Sequence, residues 1–323
     1  MSKVPASGAE LAARLRARDV GAAPAVLNLL EDGTLGAQAR ELMAALAPRA
    51  LGGEAPAAII GLTGPPGAGK STLLGALVSA WRAAGRTVAV LAVDPSSKRS
   101  GGALLGDRIR IAGEGIGGPG RFIRSMAAGE RVGGLAPATR AAAQALAVAF
   151  DVVVVETVGV GQSETDIAAL ADTVVVVVQP GAGDGLQFLK AGVMEVPDLL
   201  VVAKADLGAP AQAALSDARS SLRLLGAEGT VALAVSALAP TAGIEELLAA
   251  LDAHRDGLEI AARRLATRRA GALADFISEY GERGLRAVGG RRAAERLLLA
   301  ADGDLDGGAL IETLAVAAGL DRE

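Results

Sequence analysis

Residues 64–72 read Gly-Pro-Pro-Gly-Ala-Gly-Lys-Ser-Thr, three glycines ahead of a lysine and two hydroxyls. The glycines, lysine and serine of that run each have a use toward a polyphosphate. Glycines let consecutive backbone N–H groups turn inward around phosphate oxygens, a lysine ammonium bridges the terminal phosphates, and a serine hydroxyl is a hard-oxygen ligand for Mg²⁺. The spacing is that of a P-loop, a pattern that carries weight only where a strand enters it and a helix leaves it. An apolar run, 57–63, enters this one, and a segment of helical length, 71–84, leaves it. Gly64, Pro65, Pro66, Gly67, Ala68, Gly69, Lys70, Ser71 and Thr72 are therefore the candidate phosphate cradle. Lys70 is its candidate catalytic ammonium and Ser71 a candidate metal ligand.

A triphosphate site also needs carboxylates near the metal and a sensor of the terminal phosphate. Asp94 follows the apolar run 87–93 and Glu156 lies within 151–157, at strand ends that deliver side chains to a ligand crevice. Glu156 follows four consecutive valines. A charge there is costly without a partner, which favours a metal-positioning role over a capping or purely structural one. Gly159, three residues on, is placed to read a γ-phosphate through its N–H. Another run, 199–203, leads into Lys204-Ala205-Asp206. A carboxylate at that point can accept from two N–H donors on a guanine edge, with the lysine stem packed over the ring. Ser236, Ala237 and Leu238, at the end of the run 231–236, fit a companion loop whose backbone amide meets the guanine carbonyl. Away from a P-loop, Lys-x-Asp would be an ordinary exposed ion pair.

These residues need a sheet to hold them. The apolar runs 57–63, 87–93, 151–157, 173–178, 199–203 and 231–236 are short and unalternating, the mark of parallel strands buried on both faces. Between them lie segments of helical length at 71–84, 137–150, 164–171, 185–194, 209–225 and 241–251. Alternating strand and helix predicts an α/β fold, a P-loop NTPase with a doubly wound, mostly parallel sheet. Residues 9–47 and the stretch after 253 have helical periodicity. The expected organisation is an N-terminal helical segment (1–52), a nucleotide-binding domain (53–253) and a C-terminal helical arm (254–323).

Composition narrows the chemistry. The chain has 323 residues, 51% hydrophobic and 21% charged, enough for a sizeable core. Aromatics are 2% and the net charge is -4, so neither base-stacking platforms nor a global basic field exists to hold nucleic acid. With no cysteine and one histidine, disulfides and soft-metal clusters are excluded, and any metal is a hard cation such as Mg²⁺. The N-terminus has no apolar leader and no run is long enough to span a membrane, which reads as cytoplasmic. Only five basic residues are lysines, Lys3, Lys70, Lys98, Lys190 and Lys204, against 32 basic residues in all. In a chain that otherwise writes positive charge as arginine, each marks a place where a compact ammonium could be needed.

Taken together, the segments GPPGAGKST (64–72), AVDPSSKRSGGALLGDRIRI (92–111), FIRSM (122–126), ETVGVGQSETD (156–166), the stretch 179–206 and SAL (236–238) resemble the methylmalonyl-CoA mutase-associated GTPases of MeaB or ArgK type. The resemblance implies a GTPase that chaperones an adenosylcobalamin-dependent acyl-CoA mutase, binding Mg²⁺ and GTP or GDP. It places Asp94 and Asp107 near the metal on a first switch, gives Glu156 a part in organising metal and water, and makes 179–190, with Lys190, an extra switch that relays nucleotide state. It further implies slow hydrolysis accelerated by the partner, and a homodimer formed through the C-terminal helices. The family's base-reading motif is Asn-Lys-x-Asp, and this chain has Ala203 in place of the asparagine. The C-terminal region also lacks the family's tryptophan-containing segment. From another class, a P-loop kinase or a transport-coupled ATPase shares the phosphate cradle, as does a nucleotide-dependent binding module with little turnover.

Overall fold

The computed structural model describes residues 6–33, 36–94, 119–127, 135–157, 163–181 and 197–320. Runs of Val, Leu and Ile that cannot leave either face to water form the middle of one sheet. Its strands are β1 (Ala58–Thr63), β2 (Val88–Asp94), β3 (Arg121–Ala127), β4 (Val152–Glu156), β5 (Thr173–Val178), β6 (Leu199–Ala203) and β7 (Val231–Val235). Their order across the sheet is β3-β2-β4-β1-β5-β6-β7, and the ladders between the named strands are parallel. Strand β1 lies between β4 and β5, so the chain winds outward from it in both directions. The crevice beyond its carboxyl end is the switch point where such sheets bind ligands.

The chain divides into two units, one of residues 58–139 and 150–258, the other of 1–57, 140–149 and 259–323. In the first, the sheet is covered on both faces. One face packs β1, β5 and β6 through Leu62, Val177 and Val201 against α5 (Lys70–Ala83) and α9 (Ile244–Asp256), and it includes the only tryptophan, Trp81. The other packs Val176, Leu200 and Val202 against α7 (Ser163–Ala168) and α8 (Ala209–Leu224). Gly61 of β1 allows α7 to approach. A Cβ built there would lie 2.6 Å from Ile167 Cγ1. Gly61→Ala is expected to destabilise the protein by about 1–3 kcal/mol through this overpacking, read as a lower denaturant midpoint.

The second unit is helical: α1 (Gly8–Arg16), α2 (Ala23–Gly33), α3 (Ala37–Ala45) and α4 (Pro48–Leu51), then α10 (Ile260–Ala287), α11 (Arg291–Ala300) and α12 (Gly307–Ala317). Residues 140–149 of helix α6 (Pro137–Ala149) also belong to it. The break between α10 and α11 falls at Gly289-Gly290, whose φ angles are 96° and 90°. Two arginines one turn apart on α10 are nearly buried, Arg264 at 5% exposure and Arg268 at 7%. Arg264 donates to the carbonyls of Ala55 and Ala57, both at 2.6 Å. Arg268 pairs with the Glu54 carboxylate at 2.8 and 2.9 Å and donates to Gly303 O. The segment leading into β1 is therefore held by charge-assisted bonds.

The expected strands are present to within a residue or so. The seventh, β3, was not among them, because Arg121, Arg124 and Ser125 interrupt its apolar residues. Among the described residues it pairs with β2 alone, at the sheet edge, where a strand needs no continuous apolar run. The expected helix over 185–194 lies outside the described residues.

Candidate functional site

The turn after β1 cannot be built with side chains at its glycines. Gly64 has φ 143°, and a Cβ there would sit 2.1 Å from Val177 O of β5. Gly67 and Gly69 adopt φ 76° and 98°, the left-handed region that glycine enters without steric cost. Lys70 is the first residue of α5, only 7% exposed. Its Nζ folds back over the turn and donates to Gly64 O at 2.6 Å and Pro65 O at 3.1 Å. A helix N-terminus, inward-turned glycines and a water-shielded ammonium thus share one concavity, suited to an anion.

Glu156 ends β4, level with Leu62 of β1 and Ala92 of β2. It is 7% exposed, and its Oε1 accepts from Ser71 Oγ at 2.8 Å. This donor set fits Mg²⁺. Both atoms are hard oxygens, and their separation is close to the ~3.0 Å between adjacent ligands of an octahedral ion with ~2.1 Å bonds. Among the described residues no three carboxylate or imidazole groups converge, so the remaining ligands would be phosphate oxygens and water. The next residue, Thr157, is buried. Its N–H donates to Leu62 O at 3.0 Å and its hydroxyl bonds Thr63 Oγ1 at 2.9 Å, fixing the end of β4 against β1. Asp94 ends the neighbouring β2, but its side chain lies outside the described residues. So do Asp107, Gly159 and Lys190.

A second group of residues adjoins the first. Lys204 takes a left-handed backbone, φ 58° and ψ 44°, and its Nζ donates to Gly67 O at 3.1 Å. Asp206 Oδ1 accepts from Ser236 Oγ at 3.0 Å, and the same hydroxyl lies 3.3 Å from Leu238 O. Ser236 and Ala242 exchange backbone bonds that close the loop between them. Gly69, Thr72, Ala203, Lys204, Asp206 and Leu238 face one cavity of about 100 Å³, with Ala237 also in its wall. The structure therefore brings together the P-loop, Ser71, Glu156, Lys204, Asp206 and 236–238. Sequence reasoning passed over Gln179, whose Oε1 accepts from Lys204 Nζ. Like Glu156 it ends a run of valines, but it lacks the charge whose burial cost singled Glu156 out.

The model of the methylmalonyl-CoA mutase-associated GTPase MeaB family matches residues 25–283. The chain belongs to that family. A Pyrococcus abyssi protein named as a GTPase is 45% identical over 267 residues, 80% of each chain. The mouse methylmalonic aciduria type A homolog, a mitochondrial protein, is 40% identical over 172 residues, 51% of this chain and 40% of its own. The crystal structure of a LAO/AO transport system kinase has a TM-score of 0.64 at 27% identity and covers 96% of both chains. As a MeaB-family G protein the chain binds guanine nucleotide and is a GTPase. Among the described residues, no helix is long and apolar enough to cross a membrane.

Proposed function

We propose that this MeaB-family GTPase is a cytoplasmic G protein that assists loading, protection or gating of adenosylcobalamin in an acyl-CoA mutase of methylmalonyl-CoA mutase type. The observation that carries the reading is the match to a family described by its association with that mutase, over residues 25–283. The likeness to the methylmalonic aciduria type A homolog supports it.

In this reading the P-loop amides wrap the phosphates and Lys70 neutralises charge between the β- and γ-phosphates. Ser71 and Glu156 hold Mg²⁺, with Asp94 and Asp107 beside it. Bound Mg²⁺ supplies charge neutralisation to the β- and γ-oxygens during in-line transfer. Glu156, kept from rotating by its bond to Ser71, orients metal and attacking water. Gly159 senses the γ-phosphate, and Lys190 sits on the segment that passes nucleotide state to the partner. Asp206 accepts from guanine N1 and N2, Lys204 covers the ring, and an amide of 236–238 meets its carbonyl. In functional terms the chain is an N-terminal segment (1–52), a nucleotide-binding part (53–253) and a C-terminal arm (254–323) that pairs two copies as a homodimer, the two end segments sharing the helical unit.

The test is GTP turnover by purified protein with and without adenosylcobalamin-dependent mutases of the same cell. Turnover rising by about tenfold or more with one of them is the expected result, since a partner that completes a G-protein site acts at least that strongly. No rise with any of them would remove the chaperone reading and leave the GTPase. The likeness to a transport-system kinase favours a second reading, a P-loop kinase or a transport-coupled ATPase. ADP competing as well as GDP for the site would support it.

A further inference from the structure

We propose that Gln179 is a positioning residue of the base-reading loop, supplying from the neighbouring strand the amide tether that Ala203 cannot. This rests on the reading of Lys204 and Asp206 as the guanine-reading pair. At position 203 the motif this chain resembles carries an asparagine, whose amide ties the loop to the base and the P-loop; a methyl group ties it to neither.

The replacement amide stands directly across the ladder. Strands β5 and β6 run in parallel with Val178 level with Val202, so one step further Gln179 is level with Ala203. Side chains alternate along a strand, and Val175, Val177, Val201 and Ala203 all belong to the core face that α5 covers. Gln179 continues the parity of Val175 and Val177 and so emerges on the P-loop side. Its Oε1 accepts from Lys204 Nζ at 2.5 Å while the same ammonium donates to Gly67 O at 3.1 Å. An ammonium has three donors, and two of these are now fixed, one by the P-loop backbone and one by the adjacent strand.

Lys204 needs that restraint. Its left-handed backbone is uncommon for a residue with a side chain and persists where the surroundings over-determine it. Four flexible methylenes separate that backbone from the charge, and a single bond to Gly67 would leave the stem free to leave the ring it covers. The second bond confines the stem to one path along the cavity wall.

The experiment measures GDP affinity and release rate for the full-length wild type, Gln179→Leu, Gln179→Glu, Ala203→Asn and the Ala203→Asn/Gln179→Leu double variant. Gln179→Leu is expected to weaken GDP by about fivefold, the loss of one hydrogen bond, chiefly through faster release and with an unchanged melting temperature. Gln179→Glu keeps the acceptor oxygen and binds GDP at least as well as wild type. With asparagine at 203 the tether is restored, and Gln179→Leu then costs less than about twofold. Wild-type GDP affinity in Gln179→Leu overturns the proposal, as does an equal loss in both backgrounds. If Ala203→Asn fails to fold, the contrast between Leu and Glu at 179 decides alone. A wild type that does not prefer GDP to ADP sinks the base-reading assignment itself, a different result from a GDP-selective wild type indifferent to Gln179.

Discussion

Lys70→Ala lowers the single-turnover rate of GTP hydrolysis by about 10²–10³-fold, as expected for removing a preorganised charge aimed at a developing one. The side chain is nearly buried at the first residue of α5, its ammonium resting on the carbonyls of Gly64 and Pro65. Those carbonyls hold the charge where the β- and γ-phosphates would lie, so no reorganisation is needed when the leaving group gains charge. At about 1.4 kcal/mol per tenfold, the loss is about 3–4 kcal/mol of transition-state stabilisation. Lys70→Arg does not restore the rate. A planar guanidinium cannot take the place of a compact ammonium folded against two backbone oxygens. Folding is the control, since truncating a large buried side chain can destabilise: the variant must show wild-type circular dichroism and still bind GDP. A folded Lys70→Ala protein that keeps more than a tenth of the wild-type rate would show that the ammonium is not part of the catalytic machinery.

Much of this site is legible from residue order because the sheet obliges certain residues to stand alone. A charge after four valines, as at Glu156, or after the run 199–203, as at Lys204 and Asp206, has no apolar neighbour to join and must answer to a ligand or a partner. The scarcity of lysine pointed the same way: Lys70 and Lys204 are the two lysines in described positions, and both reach carbonyls of the P-loop. Gln179 was hidden by chemistry, since an uncharged amide at a strand end raises no alarm about charge burial. Strand β3 was hidden by position, because an edge strand is not forced into an unbroken apolar run. Arg264 and Arg268 were hidden by their surroundings. In an Arg/Glu/Ala/Leu helix they look like solvated charges, and only the fold reveals Glu54 and the carbonyls of Ala55, Ala57 and Gly303 beside them.

Asp206→Asn should weaken GDP binding by about 30- to 1000-fold, the cost of about 2–4 kcal/mol for losing one charge-assisted hydrogen bond and opposing a second donor. The direction follows from how the carboxylate is held. Ser236 is buried, and its hydroxyl donates to Asp206 Oδ1. An asparagine keeps that bond only by turning its own oxygen toward Ser236, which sets its NH₂ where Asp206 presents Oδ2. Guanine offers N–H donors at N1 and N2, so a donor now meets a donor. Xanthine carries an oxygen at C2 in place of the amino group, and the same NH₂ can donate to it. Titration of the variant with GDP, XDP and ADP therefore separates base recognition from general damage. Base recognition by this carboxylate requires that GDP falls, XDP rises above GDP, and ADP stays weak. A uniform drop for all three would assign Asp206 to holding the 236–242 loop in place, and unchanged GDP affinity would detach it from the base altogether.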